Sequence, residues 1–256
     1  MLSYRSSISL SRRTLKHLAG MIRRHRRETG TRWRRLSPKR QALLTLAQLR
    51  NGDTYARLAD GFGIGVTTAW RYVQEAITLL NNAAPDLPTI IERLRRLPYI
   101  ILDGTLIPID RVTGDKPYYS GKHHRHGMNI QVIASPHGHL LWISPALPGS
   151  AHDLSAAKTH GIIDALAAAG ITTLADKAYQ GAPPNVCTPY KATRHRKLNR
   201  GQKTANKGHA RIRARGERAN ATLKTWKILT KLRCSPHRTT AITQAILTLN
   251  NIENPR

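Results

Sequence analysis

Hydrophobic positions between residues 37 and 80 recur with helical spacing. Ala42, Leu43, Leu46, Ala47 and Leu49 form a first run, closed by Asn51-Gly52, and Ser37-Pro38 ahead of it predicts an N-cap with proline in the first turn. A shorter run follows with Leu58, Ala59 and Phe62 inward and Asp53 or Thr54 as its cap. Gly63-Ile64-Gly65 then turns into Val66, Ala69, Trp70, Val73 and Ile77, spaced i, i+3, i+4, i+7 and i+11. Helices joined by a tight glycine turn predict a helix-turn-helix. Its last helix leaves Thr67, Thr68, Arg71 and Tyr72 outward near the N-terminal end, where a recognition helix meets base edges and phosphates. An ordinary three-helix bundle with Phe62 and Trp70 in its core fits the same spacing.

The periodicity changes at the proline-containing linker 83–88, after which a short basic helix, 90–97, ends at Pro98. The chain therefore divides into a basic helical domain, 1–97, and a second domain, 98–256. The second opens with the apolar run Tyr99-Ile100-Ile101-Leu102, read as a buried strand with Asp103 at its end. Stretches 106–112, 127–135 and 140–144 predict an antiparallel meander with a turn at Pro136-His137-Gly138. An alanine-rich helical stretch, 153–169, broken at Gly161, precedes another short strand, 171–175, with Asp176 at its end. Residues 208–229 predict a helix whose inner face is Ile212, Gly216, Ala219, Leu223 and Trp226. Strands interleaved with helices indicate an α/β domain, a mixed sheet covered by helices.

Charge narrows the range of partners. Lys and Arg number 42 against 14 acids, a formal net charge of +28 and a pI near 11.3. So much like charge calls for a polyanion, and nucleic acid fits better than a membrane surface. Residues 1–40 carry 13 cations and one acid, read as a phosphate-contacting arm or helix. Cys187 and Cys234 belong to no zinc or disulfide pattern, and no apolar run approaches the length of a spanning helix. These features predict a soluble protein of the cytoplasm.

Acids are scarce enough that each is informative. Between Lys177 and Ile252 the single acid is Glu217. If the strands ending in Asp103 and Asp176 are neighbours, both carboxylates meet at one sheet edge, and a helix packed on that sheet could add Glu217. Converging carboxylates repel unless a cation neutralises them, and hard oxygen ligands suit magnesium or manganese. A divalent pair could polarise a phosphodiester and activate the attacking oxygen. Each acid also has a plainer reading. Asp103-Gly104 could be a turn, Asp176 could pair with Lys177, and Glu217 could pair with Arg213 or face solvent. Asp153, after His152, could cap a helix or assist the site.

The strings ILDGTLIPIDR, YYSGKHHRHGMNIQVIASPHGHLLWISPALPGSAHD, LADKAYQG, TPYK and RGERANATLKTWKIL resemble, in order and spacing, the DDE-type transposases of bacterial insertion sequences related to the Harbinger group. The helix-turn-helix of TYARLADGFGIGVTTAWRYVQEA is similar to the one that precedes the nuclease in that family. The resemblance spans residues 37–250 and implies a ribonuclease H-like fold, with Asp103, Asp176 and Glu217 as catalytic, metal-binding triad. It further implies two magnesium or manganese ions and supporting roles for His152 and Asp153. One departure is Gly216 directly before Glu217, with Asn220 and Ala221 following.

The sequence thus predicts a nucleoid-associated bacterial transposase that binds terminal inverted repeats, cleaves the element's ends and joins the 3′-hydroxyl to target DNA. Its partner is double-stranded DNA, with Lys122 and Lys191 as candidate phosphate contacts, and it is expected to act as a homo-oligomer that holds two ends. A non-catalytic helix-turn-helix protein, repressor or domesticated, is the alternative. A nuclease on the same fold that cuts without joining is a third.

Overall fold

The computed structural model describes residues 7–31, 33–110, 116–230 and 232–255. The last residues of the predicted strand 106–112 lie outside them. The described residues through Ala84, with Thr225–Thr230 and those from Ala241 on, make one compact unit, and Pro85–Lys224 with Lys231–Thr240 the other. The division falls at 84/85 and not at 97/98, because the short helix after the linker packs within the sheet unit while two later segments return to the helical one.

In the helical unit, α1 (Arg12–Glu28) is capped by Ser11, whose side chain accepts from the Thr14 amide. Thr14, Leu18, Ala19 and Ile22 are buried along one stripe, so the basic segment is an amphipathic helix packed by that stripe, with most of its cations outward. α2 (Pro38–Asn51) is capped by Ser37 and has Pro38 in its first turn. α3 (Tyr55–Phe62) is capped by Thr54, while Asp53 pairs with Arg57 at 3.5 Å. Gly63, at φ 67°, ends α3, and α4 (Val66–Asn82) follows. The buried stripe of α4 runs through Ala69, Tyr72, Val73, Ala76, Ile77 and Leu80. Tyr72 is therefore inward at 3% exposure, and Trp70, expected inward, is 40% exposed. The Tyr72 hydroxyl accepts from the Leu36 amide at 3.4 Å, which lets its polar end sit in the core.

The sheet unit begins with α5 (Leu87–Leu94), packed on later elements of the same unit. β1 (Ile100–Pro108) is one nine-residue strand that joins two predicted ones. Asp103 thus lies inside β1 and not at its end, because Asp103, Gly104 and Thr105 continue the ladder opposite Val132, Gln131 and Ile130. β2 (Tyr119–Ser120), β3 (Arg125–Ala134), β4 (Leu140–Ile143) and β5 (Leu147–Pro148) follow. β3 pairs antiparallel with β1 along one edge, and β2, β5 and β4 line its other edge in succession. α6 (Asp153–Thr159) and α7 (Ile162–Ala168) are separated at Gly161, φ 66°. β6 (Thr173–Leu174) pairs parallel with β1, and β7 (Val186–Cys187) parallel with β6.

The helix predicted over 208–229 is instead α8 (Arg200–Arg213), a 3₁₀ turn (Ala214–Gly216) and α9 (Glu217–Lys224). The break lets Gly216 sit where a Cβ would lie 2.8 Å from Ile101 Cγ2 on β1. α10 (Pro236–Glu253) closes the element order. A mixed sheet of this strand order, with helices on it and a helical region before it, is a ribonuclease H-like α/β fold. Among the described residues no helix is long and apolar enough to cross a membrane.

Candidate active site

Register brings two of the predicted acids together. Ile101 of β1 faces Leu174 of β6 in a parallel pair, Asp103 lies two residues beyond the first and Asp176 two beyond the second. The two acids thus leave adjacent strands at the same level, and α6 adds Asp153 at its first helical position. Asp153 is buried, its Oδ1 accepting from Asn129 Nδ2 at 2.8 Å and its Oδ2 from Lys122 Nζ at 2.9 Å. The same Lys122 ammonium lies 3.7 Å from Asp176 Oδ2, and Asp176 Oδ1 accepts from the Ala178 amide at 2.8 Å. Behind this cluster Gln131 Nε2 donates to Asn129 Oδ1 at 2.8 Å, and the Tyr179 hydroxyl donates to Gln131 Oε1.

Asp103 has its own partners. Its Oδ2 accepts from Asn220 Nδ2 at 2.9 Å, and its Oδ1 lies 3.8 Å from Arg213. Burial pushes its carboxyl up to about 6, Arg213 opposes this, and the charges of Asp176 and Asp153 add to it. Partial burial works against the Lys122 ammonium, but its bond to Asp153 and the three aspartates outweigh that and raise its pKa.

Among the described residues no three His, Cys, Asp or Glu side chains form a group able to hold a metal ion. The chemistry of the cluster nevertheless suits a hard cation. Burial and the neighbouring Asp176 and Asp153 disfavour the charge of Asp103, an ammonium already sits between Asp153 and Asp176, and the buried Asn220 Oδ1 beside Asp103 accepts no hydrogen bond.

The family described as DDE superfamily endonuclease matches residues 102–251, and the helix-turn-helix of DDE superfamily endonuclease matches residues 34–86. This chain belongs to the DDE superfamily endonuclease family. It is 31% identical over 193 residues to a Streptomyces albus G protein described as a transposase for insertion sequence element IS112, a match covering 74% of this chain and 70% of that one. No solved structure matches.

In this member of the DDE superfamily endonuclease family the other candidate residues are placed as follows. Glu217 is exposed at the start of α9 and makes no hydrogen bond or ion pair among the described residues. Arg213, its i−4 neighbour, turns to Asp103 instead. His152 occupies the N-cap position of α6 without a side-chain capping bond and is exposed. Lys122 is half exposed in the turn before β3, and Lys191 is exposed after β7. On α4, Thr67 and Arg71 are exposed, Thr68 is half-buried and Tyr72 is in the core.

Sequence reasoning missed Arg213, Asn220, Asn129, Gln131 and Tyr179. Signals for them exist. Asn129 and Gln131 interrupt an apolar strand on alternate positions, and buried amides need partners. Arg213 and Asn220 stand four residues before and three after Glu217, on one side of the helical segment.

Proposed function

We propose that this chain is a DNA transposase that recognises the terminal inverted repeats of an insertion sequence, cleaves the ends and joins the 3′-hydroxyl to target DNA. The observation that supports it most is the parallel register that brings Asp103 and Asp176 to one level, with the Asp103 carboxyl pushed up to about 6. Asp103 and Asp176, with Glu217 as third carboxylate, would hold two magnesium or manganese ions, which supply Lewis-acid polarisation of the phosphodiester. Asn220 and Arg213 fix the two oxygens of Asp103, and the Ala178 amide fixes one oxygen of Asp176. Asp153, held by Asn129, orients Lys122 at the mouth of the cluster, where its ammonium can meet a phosphate. Thr67, Thr68 and Arg71 on α4 would read duplex DNA, and Lys191 would contact its backbone. Two ends must be held at once, so the working form is a homo-oligomer on DNA in the bacterial cytoplasm.

The exposed position of Glu217 favours a second reading, a DNA-binding protein without nuclease activity. Purified protein incubated with end-containing DNA and magnesium, manganese or chelator, scored for nicks and joined products, separates the two. A transposase loses cleavage by at least about a hundredfold in Asp103→Ala or Asp176→Ala while DNA affinity stays within about twofold. Absence of any metal-dependent nick in the wild type overturns the enzymatic reading, and nicks without joined products point to a plain nuclease.

A further inference from the structure

Trp33 is the most exposed large hydrophobic side chain among the described residues, at 93%. The same chain buries Trp142 and Trp226 to 4% and 2%, so full exposure of this indole stands apart. A solvated indole is costly to display and Trp is depleted from free surfaces, while it is enriched where a partner covers it. It lies in the connection between α1 and α2, directly ahead of the segment matched as helix-turn-helix, so that match does not include it.

The connection is not loosely attached. Arg34 pairs with Glu75 of α4 at 3.3 Å, and its guanidinium lies 5.8 Å from the centre of the Tyr72 ring. The Leu36 amide donates to the Tyr72 hydroxyl, and the Leu36 carbonyl accepts from Arg26 Nη1 at 2.9 Å. These contacts fasten the residues after Trp33 to α1 and, at Tyr72 and Glu75, to α4 within about one helical turn of the exposed Arg71. Arg35, also exposed, makes no hydrogen bond or ion pair among the described residues. An aromatic plane and a spare guanidinium, carried together beside the proposed recognition surface of a chain with +28 charge, match the chemistry of duplex DNA.

We propose that Trp33 is a second DNA contact, an aromatic wedge that packs against a base step next to the footprint of α4, with Arg35 on the flanking phosphate. The proposal rests on the reading of α4 as a DNA-recognition helix. Apolar wedges give affinity through stacking, which salt barely affects, whereas arginine on phosphate acts through counterion release. The two residues therefore carry different signatures.

The full-length protein is titrated with a labelled mixed-sequence duplex across a series of potassium chloride concentrations, as wild type, Trp33→Ala, Trp33→Phe, Arg35→Ala and Arg71→Ala. Trp33→Ala is expected to weaken binding by about 5- to 100-fold at every salt concentration with an unchanged salt slope. Trp33→Phe recovers most of that loss, and Arg35→Ala lowers the slope by about one. A duplex carrying 2-aminopurine should change fluorescence with wild type and not with Trp33→Ala. Because the indole is solvated, thermal unfolding of Trp33→Ala should match wild type. Equal affinity of Trp33→Ala and wild type overturns the proposal, as does a change of sedimentation in DNA-free Trp33→Ala, which would assign the indole to contact between copies of the chain. Arg71→Ala binding as wild type, with Trp33→Ala weakened, removes the α4 reading alone.

Discussion

Gly104 owes its identity to its neighbour across the fold. A Cβ there would overlap the Asp153 Oδ1 that Asn129 holds, so no side chain fits without displacing a buried, doubly bonded carboxylate. Gly104→Ala should lose about 2 kcal/mol or more of stability in urea unfolding and impair cleavage, with α4-mediated DNA binding retained. Asp103 supplies a pH prediction. Its folded carboxyl keeps its proton to about pH 6, while the unfolded chain releases it near 3.8, so metal-free protein loses stability as pH rises through that window. Asp103→Asn removes the penalty. In chelator at pH 7 it should be more stable than wild type by about 2–3 kcal/mol, and the two should converge below about pH 4. Asp103 and Asp176 were legible in the sequence because acids are so rare beside apolar runs. The local reading of Asp103-Gly104 as a strand end failed, since the glycine serves close approach and not a turn. Tyr72 and Trp70 were exchanged for a similar reason. Both are amphipathic aromatics, but Tyr72 continues the buried spacing of Ala69, Val73, Ala76, Ile77 and Leu80, and its hydroxyl finds the Leu36 amide there.

The elements that carry the site were legible in unequal measure. Ser37, Thr54 and Gly63 announce α2, α3 and the turn before α4 through capping chemistry that is local. β6 and β7 are two residues each, too short for any period, and their place depends on parallel pairing with β1. In α10 residues 242–250 are buried on every side, so no amphipathic stripe marks the helix. The bend between α8 and α9 is set by distant backbone. Gly138, in the turn between β3 and β4 at φ 80°, would overlap the Arg215 carbonyl oxygen if it carried a Cβ, and Gly216 lies against Ile101. Gly138→Ala should therefore cost about 2 kcal/mol or more, seen as a lowered Tm. It should also shift Asn220 from Asp103 and reduce nicking more than DNA affinity.

For the whole molecule, +28 charges make DNA capture strongly dependent on ionic strength. A plot of log affinity against log salt should fall with a slope of about −0.9 for each phosphate neutralised, and a slope corresponding to at least about five phosphates is expected. Asp103→Asn should leave that slope unchanged, because its carboxyl faces Asn220 and Arg213 and not bulk solvent. The helical unit is also assembled from distant stretches of chain. Arg50 lies 5.2 Å over the Trp226 ring, Thr248 donates to the Leu80 carbonyl at 2.9 Å, and Glu253 accepts from the Ser11 amide and hydroxyl. A fragment of residues 1–97 lacks all three partners and should melt well below the intact protein in circular dichroism. During synthesis α4 gains its last supports only after the ribosome has passed through the sheet unit. Full stability of the helical unit is thereby reserved for chains that have been synthesised through Glu253.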